Sequence, residues 1–261
     1  MTLHSHERYC SEVLAQTGLL CTALEGADLK APVPTCPEWT LADLLHHLGQ
    51  AHRGVARIVE QRLTGFPGRP VGDATTGHPF DDAAGAARWL AEGAEALVAV
   101  LRASGPDATV WTFDGRNVSA FWARRMVHET VIHRADALLA LGADFTIDPE
   151  IAADTLDEWL DIVGAPMVVE FRPELKKLCG PGRTLHLHAT DTAPESGEWF
   201  IDATGELVTW RRSHEKAAVA VRGPMRDLLL LTYRRLPLDS AKVEVHGERE
   251  MLELWLENAK F

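Results

Sequence analysis

The hydrophobic period of this chain changes once. Through the first 163 residues apolar side chains recur every three or four positions, the spacing of a helix face; from about residue 185 they alternate, the spacing of a strand with one covered face. One repeating architecture does not carry both periods. The pattern therefore predicts an α+β two-domain chain, with a helical domain over 1–165 and a small α+β domain over 166–261. A length of 261 residues suits two modest domains.

Within the first part, helices are expected near residues 5–25, from Thr40 to about Leu63, over Asp81–Arg102, over Ser119–Leu141 and over Pro149–Val163. The second is the best delimited. The segment APVPTCPEWT carries three prolines and cannot continue the first helix; Thr40 is then a good N-cap, with Asp43 three residues on as in a capping box. That helix should stop before the Gly/Pro-rich stretch TGFPGRPVGD, and the fourth should end at Gly142. Four or five such helices joined by loops make a bundle. A linker is expected near 164–182. Beyond it, LHLHAT (185–190), EWFIDA (198–203), LVTW (207–210), AAVAVRG (217–223) and KVEVHG (242–247) read as strands, with helices over Met225–Arg235 and Arg249–Glu257.

Composition narrows the function classes. There are 26 Lys and Arg against 38 Asp and Glu, a net charge of −12, so phosphate-rich partners are disfavoured and no nucleic acid or membrane partner is expected. The apolar runs are too short to cross a bilayer, and the polar start MTLHSHERYC predicts no secretion signal, so a cytoplasmic location is expected. The four cysteines form no CxxC pair and read as reduced thiols. No G-x-S-x-G elbow, G-x-G-x-x-G turn or P-loop occurs.

The twelve histidines carry the chemical signal. On the second helix, Leu41, Leu44, Leu45, Leu48, Ala51, Val55, Ile58 and Val59 share a face. His46 points almost opposite and is expected in solvent; His47 flanks the stripe and His52 lies within it. On the fourth helix, Trp122, Glu129, His133 and Asp136 form one narrow stripe. Glu129 and His133 stand one turn apart, close enough to reach a single ion. Two ligands there and one from a neighbouring helix would leave the open position of a catalytic zinc site. An exposed Glu–His surface pair satisfies the same spacing. His186 and His188 share a strand face that is expected to be exposed.

The blocks CPEWTLADLLHHLGQAH, FWARRMVHETVIHRADAL, RPELKKLCGPGRTLHLHATDT and AVAVRGPMRDLLLLTYRRLP, in this order, resemble the mycothiol-dependent maleylpyruvate isomerase family. The resemblance implies a DinB-like four-helix bundle that binds a divalent metal, zinc being expected, followed by a small α+β domain similar to sterol carrier protein. It implies His47, Glu129 and His133 as metal ligands, with Asp136 and His52 behind them. It also implies an arginine from the second domain on the substrate, here assigned to Arg235. Mycothiol would be the thiol cosubstrate and a small-molecule electrophile the partner. The implied activity is cis–trans isomerisation of a maleylpyruvate-like compound, or thiol transfer. Two alternatives use the same residues: a metal-dependent hydrolase with zinc-bound hydroxide, and a non-enzymatic ligand-binding protein with a structural metal.

Overall fold

The structure, a computed structural model, describes residues 4–68, 78–193 and 196–259. Residues 69–73 of the Gly/Pro-rich break lie outside the described residues. The contacts divide the chain into two units, residues 2–145 and 146–261.

The first unit is a four-helix bundle of α1 (His6–Ala23), α2 (Leu41–Glu60), α3 (Ala83–Ser104) and α4 (Ser119–Ala140). Helices α1 and α2 each pack on both α3 and α4. The start of α2 follows the sequence signals closely. The Thr40 hydroxyl accepts from the Asp43 amide while the Asp43 carboxylate accepts from the Thr40 amide, so two orphan donors of the first turn are satisfied reciprocally. The proline-rich segment before it is folded back on itself. The Val33 amide donates to the Trp39 carbonyl, the Trp39 amide to Cys36, and the Leu41 amide to Ala31. Helix α4 is buried on nearly every side, its polar Arg124, His128, Arg134 and Asp136 included. Such a helix must satisfy its charges internally, and Arg134 does so by donating to Gln16 at 2.8 Å while stacking on Phe145.

His46 is a correction to the sequence reading: it is buried, not solvated. Its ring sits edge-on to His78 and tilted on Trp89, and α3 covers this side of α2. The apolar stripe marks the face toward the bundle core and does not register the second covering by an aromatic from α3.

The second unit opens with α5 (Pro149–Gly164) and α6 (Pro166–Phe171), and a 3-10 turn follows at Pro173–Leu178. These short helices occupy the segment expected as a linker. Next come β1 (Thr184–Ala189), β2 (Glu198–Asp202), β3 (Thr209–Arg211), β4 (Val219–Gly223), α7 (Met225–Thr232), β5 (Glu244–Gly247) and α8 (Arg249–Asn258). The sheet order among the described residues is β3-β2-β1-β4-β5, with β1 and β4 parallel and the other pairs antiparallel. Alternation gives one face Leu185, Leu187, Trp199, Ile201, Val219 and Val221, all buried, while α5 and α7 pack on each other and on the strands. The helix over 149–164 thus groups with the sheet. No helix among the described residues is long and apolar enough to cross a membrane.

Candidate functional site

The expected ligands meet between α2 and α4. His47 Nε2 lies 3.1 Å from Glu129 Oε1, and His133 Nε2 lies 3.2 Å from the same oxygen. One donor atom from each of the three lies within 4.8 Å of the other two. Their side chains are 23%, 16% and 12% exposed, so the cluster sits in a recess that solvent reaches.

Asp136 adjoins the cluster from behind. Fully buried, it accepts from His133 Nδ1 at 3.0 Å and from the Thr35 hydroxyl at 2.6 Å. With one proton fixed on Nδ1, Nε2 is the ring nitrogen that turns a lone pair toward the cluster once its own proton is lost, the tautomer a ligand needs. Thr35 belongs to the folded-back proline segment, and that segment also lays the Trp39 ring over His47 and His133, with centroids 5.0 and 6.5 Å away. The capping box of α2 therefore sets both His47 and the segment that covers it.

Glu129 is bridged on its other oxygen, Oε2, by Arg125 one turn earlier. Burial would raise the Glu129 pKa, but the Arg125 charge and the hydrogen bonds from His133 and His47 prevail and hold it well below the usual carboxylate range. Burial likewise opposes charge on His133; the hydrogen bonds and charges of Asp136 and Glu129 outweigh it and raise the pKa to about 9. The two carboxylates thus favour positive charge at this point.

His52 is wholly buried one turn beyond Leu48, with Nε2 2.9 Å from the Thr130 hydroxyl. That hydroxyl donates to the Met126 carbonyl, so it accepts from His52. The other ring nitrogen, Nδ1, is a buried atom with no hydrogen-bond partner. Burial lowers the His52 pKa to about 4, so the ring is neutral and its place is between α2 and α4. Arg235, in the second unit, follows α7 and donates to the Tyr233 carbonyl at 2.8 Å.

Beside Glu129 opens a cavity of about 300 Å³ lined by Ala51, Phe66, Trp111, Phe113, Trp122, Arg125 and Met126. Trp122 donates its indole N–H to the Trp111 carbonyl at 2.7 Å, and the Trp111 and Phe113 rings pack 5.9 and 5.8 Å from the Trp122 ring. The connection between α3 and α4 turns at Thr112–Asn117, where Asn117 takes a left-handed conformation at φ 56°. Sequence spacing marks Trp39 only as a hydrophobic staple with Leu44 at the start of α2 and draws no attention to Thr35, Trp111 or Phe113. The Asp-Gly-Arg-Asn turn at 114–117 was the available signal that two aromatics would be brought onto α4.

Fold and site together define a class: a four-helix bundle that gathers two imidazoles and a carboxylate from adjacent helices at the edge of an aromatic cavity. Residues 10–138 match the mycothiol maleylpyruvate isomerase N-terminal domain and residues 150–254 match the MDMPI C-terminal domain. The chain belongs to the mycothiol-dependent maleylpyruvate isomerase family. It is similar in fold to two crystal structures of mycothiol-dependent maleylpyruvate isomerase, one of them a histidine-to-alanine mutant. Each shares 17% identity and a TM-score of 0.60, covering 94% of this chain and 96% of its own. No curated protein sequence resembles the chain closely enough to count as a relative.

Proposed function

We propose that the protein is a metal-dependent enzyme that uses a low-molecular-weight thiol, mycothiol, on a small electrophile. Isomerisation of a maleylpyruvate-like cis double bond is the reaction put forward; thiol transfer is its variant without the final elimination. The observation that carries the reading is the convergence of His47, Glu129 and His133 beside the aromatic cavity. The residues fit a divalent ion. Two imidazole nitrogens and one carboxylate oxygen form a borderline donor set suited to zinc, with Asp136 holding one ring in the ligating tautomer. A divalent ion there, zinc being the one expected, supplies the positive charge that makes a small thiol acidic enough to be a nucleophile near neutral pH.

The chain's own residues do the rest. Arg125 takes Oε2 of Glu129 and leaves Oε1 toward the histidines. Arg125 also presents a cation on the cavity wall, where an anionic electrophile can be held. Phe66, Trp111, Phe113 and Trp122 pack a planar conjugated substrate and displace water from it. In this reaction class, reversible addition of the thiol forms a C–S bond and shifts the π pair onto the conjugated carbonyl. The former double bond can then rotate, and elimination restores it in the trans geometry with the thiol released. By resemblance, Arg235 is a further candidate for binding the substrate's carboxylate.

Initial rates with mycothiol and maleylpyruvate test the proposal. Turnover should require the thiol, and His47→Ala and Glu129→Gln should each lower kcat/KM by at least about a hundredfold, or ~2.7 kcal/mol. Full turnover in either variant would refute it. Thiol-independent hydrolysis of an ester by the wild-type chain would point to the hydrolase alternative instead.

A further inference from the structure

The sheet unit carries a second convergence of histidines. In the β1–β2 register His188 faces Glu198, and His186 stands two residues back on the same side. All of them approach one carboxylate. His186 Nε2 lies 2.6 Å from Oε2 of Glu198, His188 Nδ1 lies 2.6 Å from Oε1, and His214 Nδ1 lies 3.1 Å from Oε1. The three rings stand nearly edge-on to one another, with centroids 5.0 to 6.3 Å apart. His186 is buried, which corrects the expectation of an exposed strand face: Glu198 and His214 close over it.

His214 arrives from the loop after β3, and that loop is fixed without help from the imidazole. Arg211 makes a bidentate pair with Glu215 at 2.8 and 2.6 Å. Arg212 stacks 4.1 Å from the Trp199 ring centre and donates to Asp157 at 2.8 Å and to the Ser196 carbonyl. The backbone on both sides of His214 is therefore anchored, and the ring is presented toward Glu198. One donor atom each from His186, Glu198 and His214 lies within 4.8 Å of the other two. A single carboxylate can neutralise one imidazolium; three ring nitrogens around it exceed what an ion pair uses, whereas a cation can take the His186 and His214 nitrogens together with the carboxylate. His186, His188 and His214 also line an open cavity of about 620 Å³, so an ion and solvent have access.

We propose that this sheet face is a second metal site, binding a divalent first-row transition ion such as Zn²⁺, Co²⁺ or Ni²⁺ through His186, His214 and Glu198, with His188 holding the Glu198 carboxylate from the side. An imidazole-rich donor set selects such ions over Mg²⁺ and Ca²⁺, which take oxygen ligands. This inference is independent of the function proposed for the bundle.

The test uses the full chain, stripped with a chelator and titrated with Co²⁺ and Zn²⁺, with bound metal counted by elemental analysis. To silence the bundle site, the measurement is made in a Glu129→Gln chain. One ion per chain should bind, and tenfold excess Mg²⁺ should not displace it. Adding His214→Ala should weaken it at least tenfold, and adding Glu198→Gln at least a hundredfold. His214 is a largely exposed loop residue, so its replacement leaves the fold intact and keeps the test decisive if Glu198→Gln misfolds. Absence of a bound ion in the Glu129→Gln chain, equal binding in the His214→Ala chain, or displacement by Mg²⁺ would each overturn the proposal.

Discussion

Replacing Asp136 examines how the bundle site is held. The side chain is fully buried, and its two oxygens serve different partners: Oδ2 accepts from His133 Nδ1 at 3.0 Å and Oδ1 from the Thr35 hydroxyl at 2.6 Å. Asp136→Ala leaves the Nδ1–H of His133 without that acceptor and removes a negative charge next to a ligand. Outer partners of this kind are worth about 10–100-fold in metal affinity, or ~1.4–2.7 kcal/mol. Asp136→Asn should lose less. Its amide oxygen can still face His133, because the Thr35 hydroxyl can turn from donor to acceptor for the new NH₂ group. Competition with a chelator for Zn²⁺, in a Glu198→Gln background so that one site is read, should therefore give about a hundredfold loss for Asp136→Ala and about tenfold for Asp136→Asn. A folded Asp136→Ala chain that binds within twofold of its parent would refute the reasoning, since ring orientation would then not depend on this carboxylate.

Three further outcomes follow from the bundle. Arg125→Met should lower kcat/KM for an anionic electrophile at least about tenfold, or ~1.4 kcal/mol, and less for a neutral one of the same shape; equal losses would remove Arg125 from anion recognition. His52 has a folded pKa of about 4 against an ordinary value of 6.5, so the unfolded chain takes up its proton first as pH falls. The stability from keeping the ring neutral is complete above pH 6.5 and is lost toward pH 4, costing about 2 kcal/mol by pH 5. Thermal melts should therefore show the wild-type bundle weakening more than His52→Gln between pH 7.5 and 5, and parallel curves would contradict this. Gly49→Ala would place a Cβ 1.9 Å from Trp89 Cζ3. It should destabilise the bundle by about 1–3 kcal/mol in urea despite a helix-propensity gain of ~1 kcal/mol; an unchanged midpoint would show that the Trp89 ring can step aside.

The positions of the long helices and the stripe of Glu129, His133 and Asp136 were legible because both rest on local spacing. His47 on α2 is a long-range partner, and it entered through resemblance to a family. What stayed hidden depends on contacts between segments far apart in sequence. Thr35 lies 101 residues from the Asp136 it donates to. His46 looks solvated on a helical wheel until Trp89 from α3 and His78 are laid over it. His186 and His188 read as an exposed pair until the register supplies Glu198 and a loop supplies His214. The helix over 149–164 has an apolar face suited to either a bundle or a sheet, and pattern alone does not choose between them.

The most direct measurement substitutes Co²⁺ into the Glu198→Gln chain and adds mycothiol while the visible spectrum is recorded. A sulfur-to-cobalt charge-transfer band should appear at one thiol per ion and vanish when Glu129→Gln is added. A spectrum indifferent to the thiol, in a chain whose cobalt is held by His47, Glu129 and His133, would contradict the claim that this cluster activates a sulfur nucleophile.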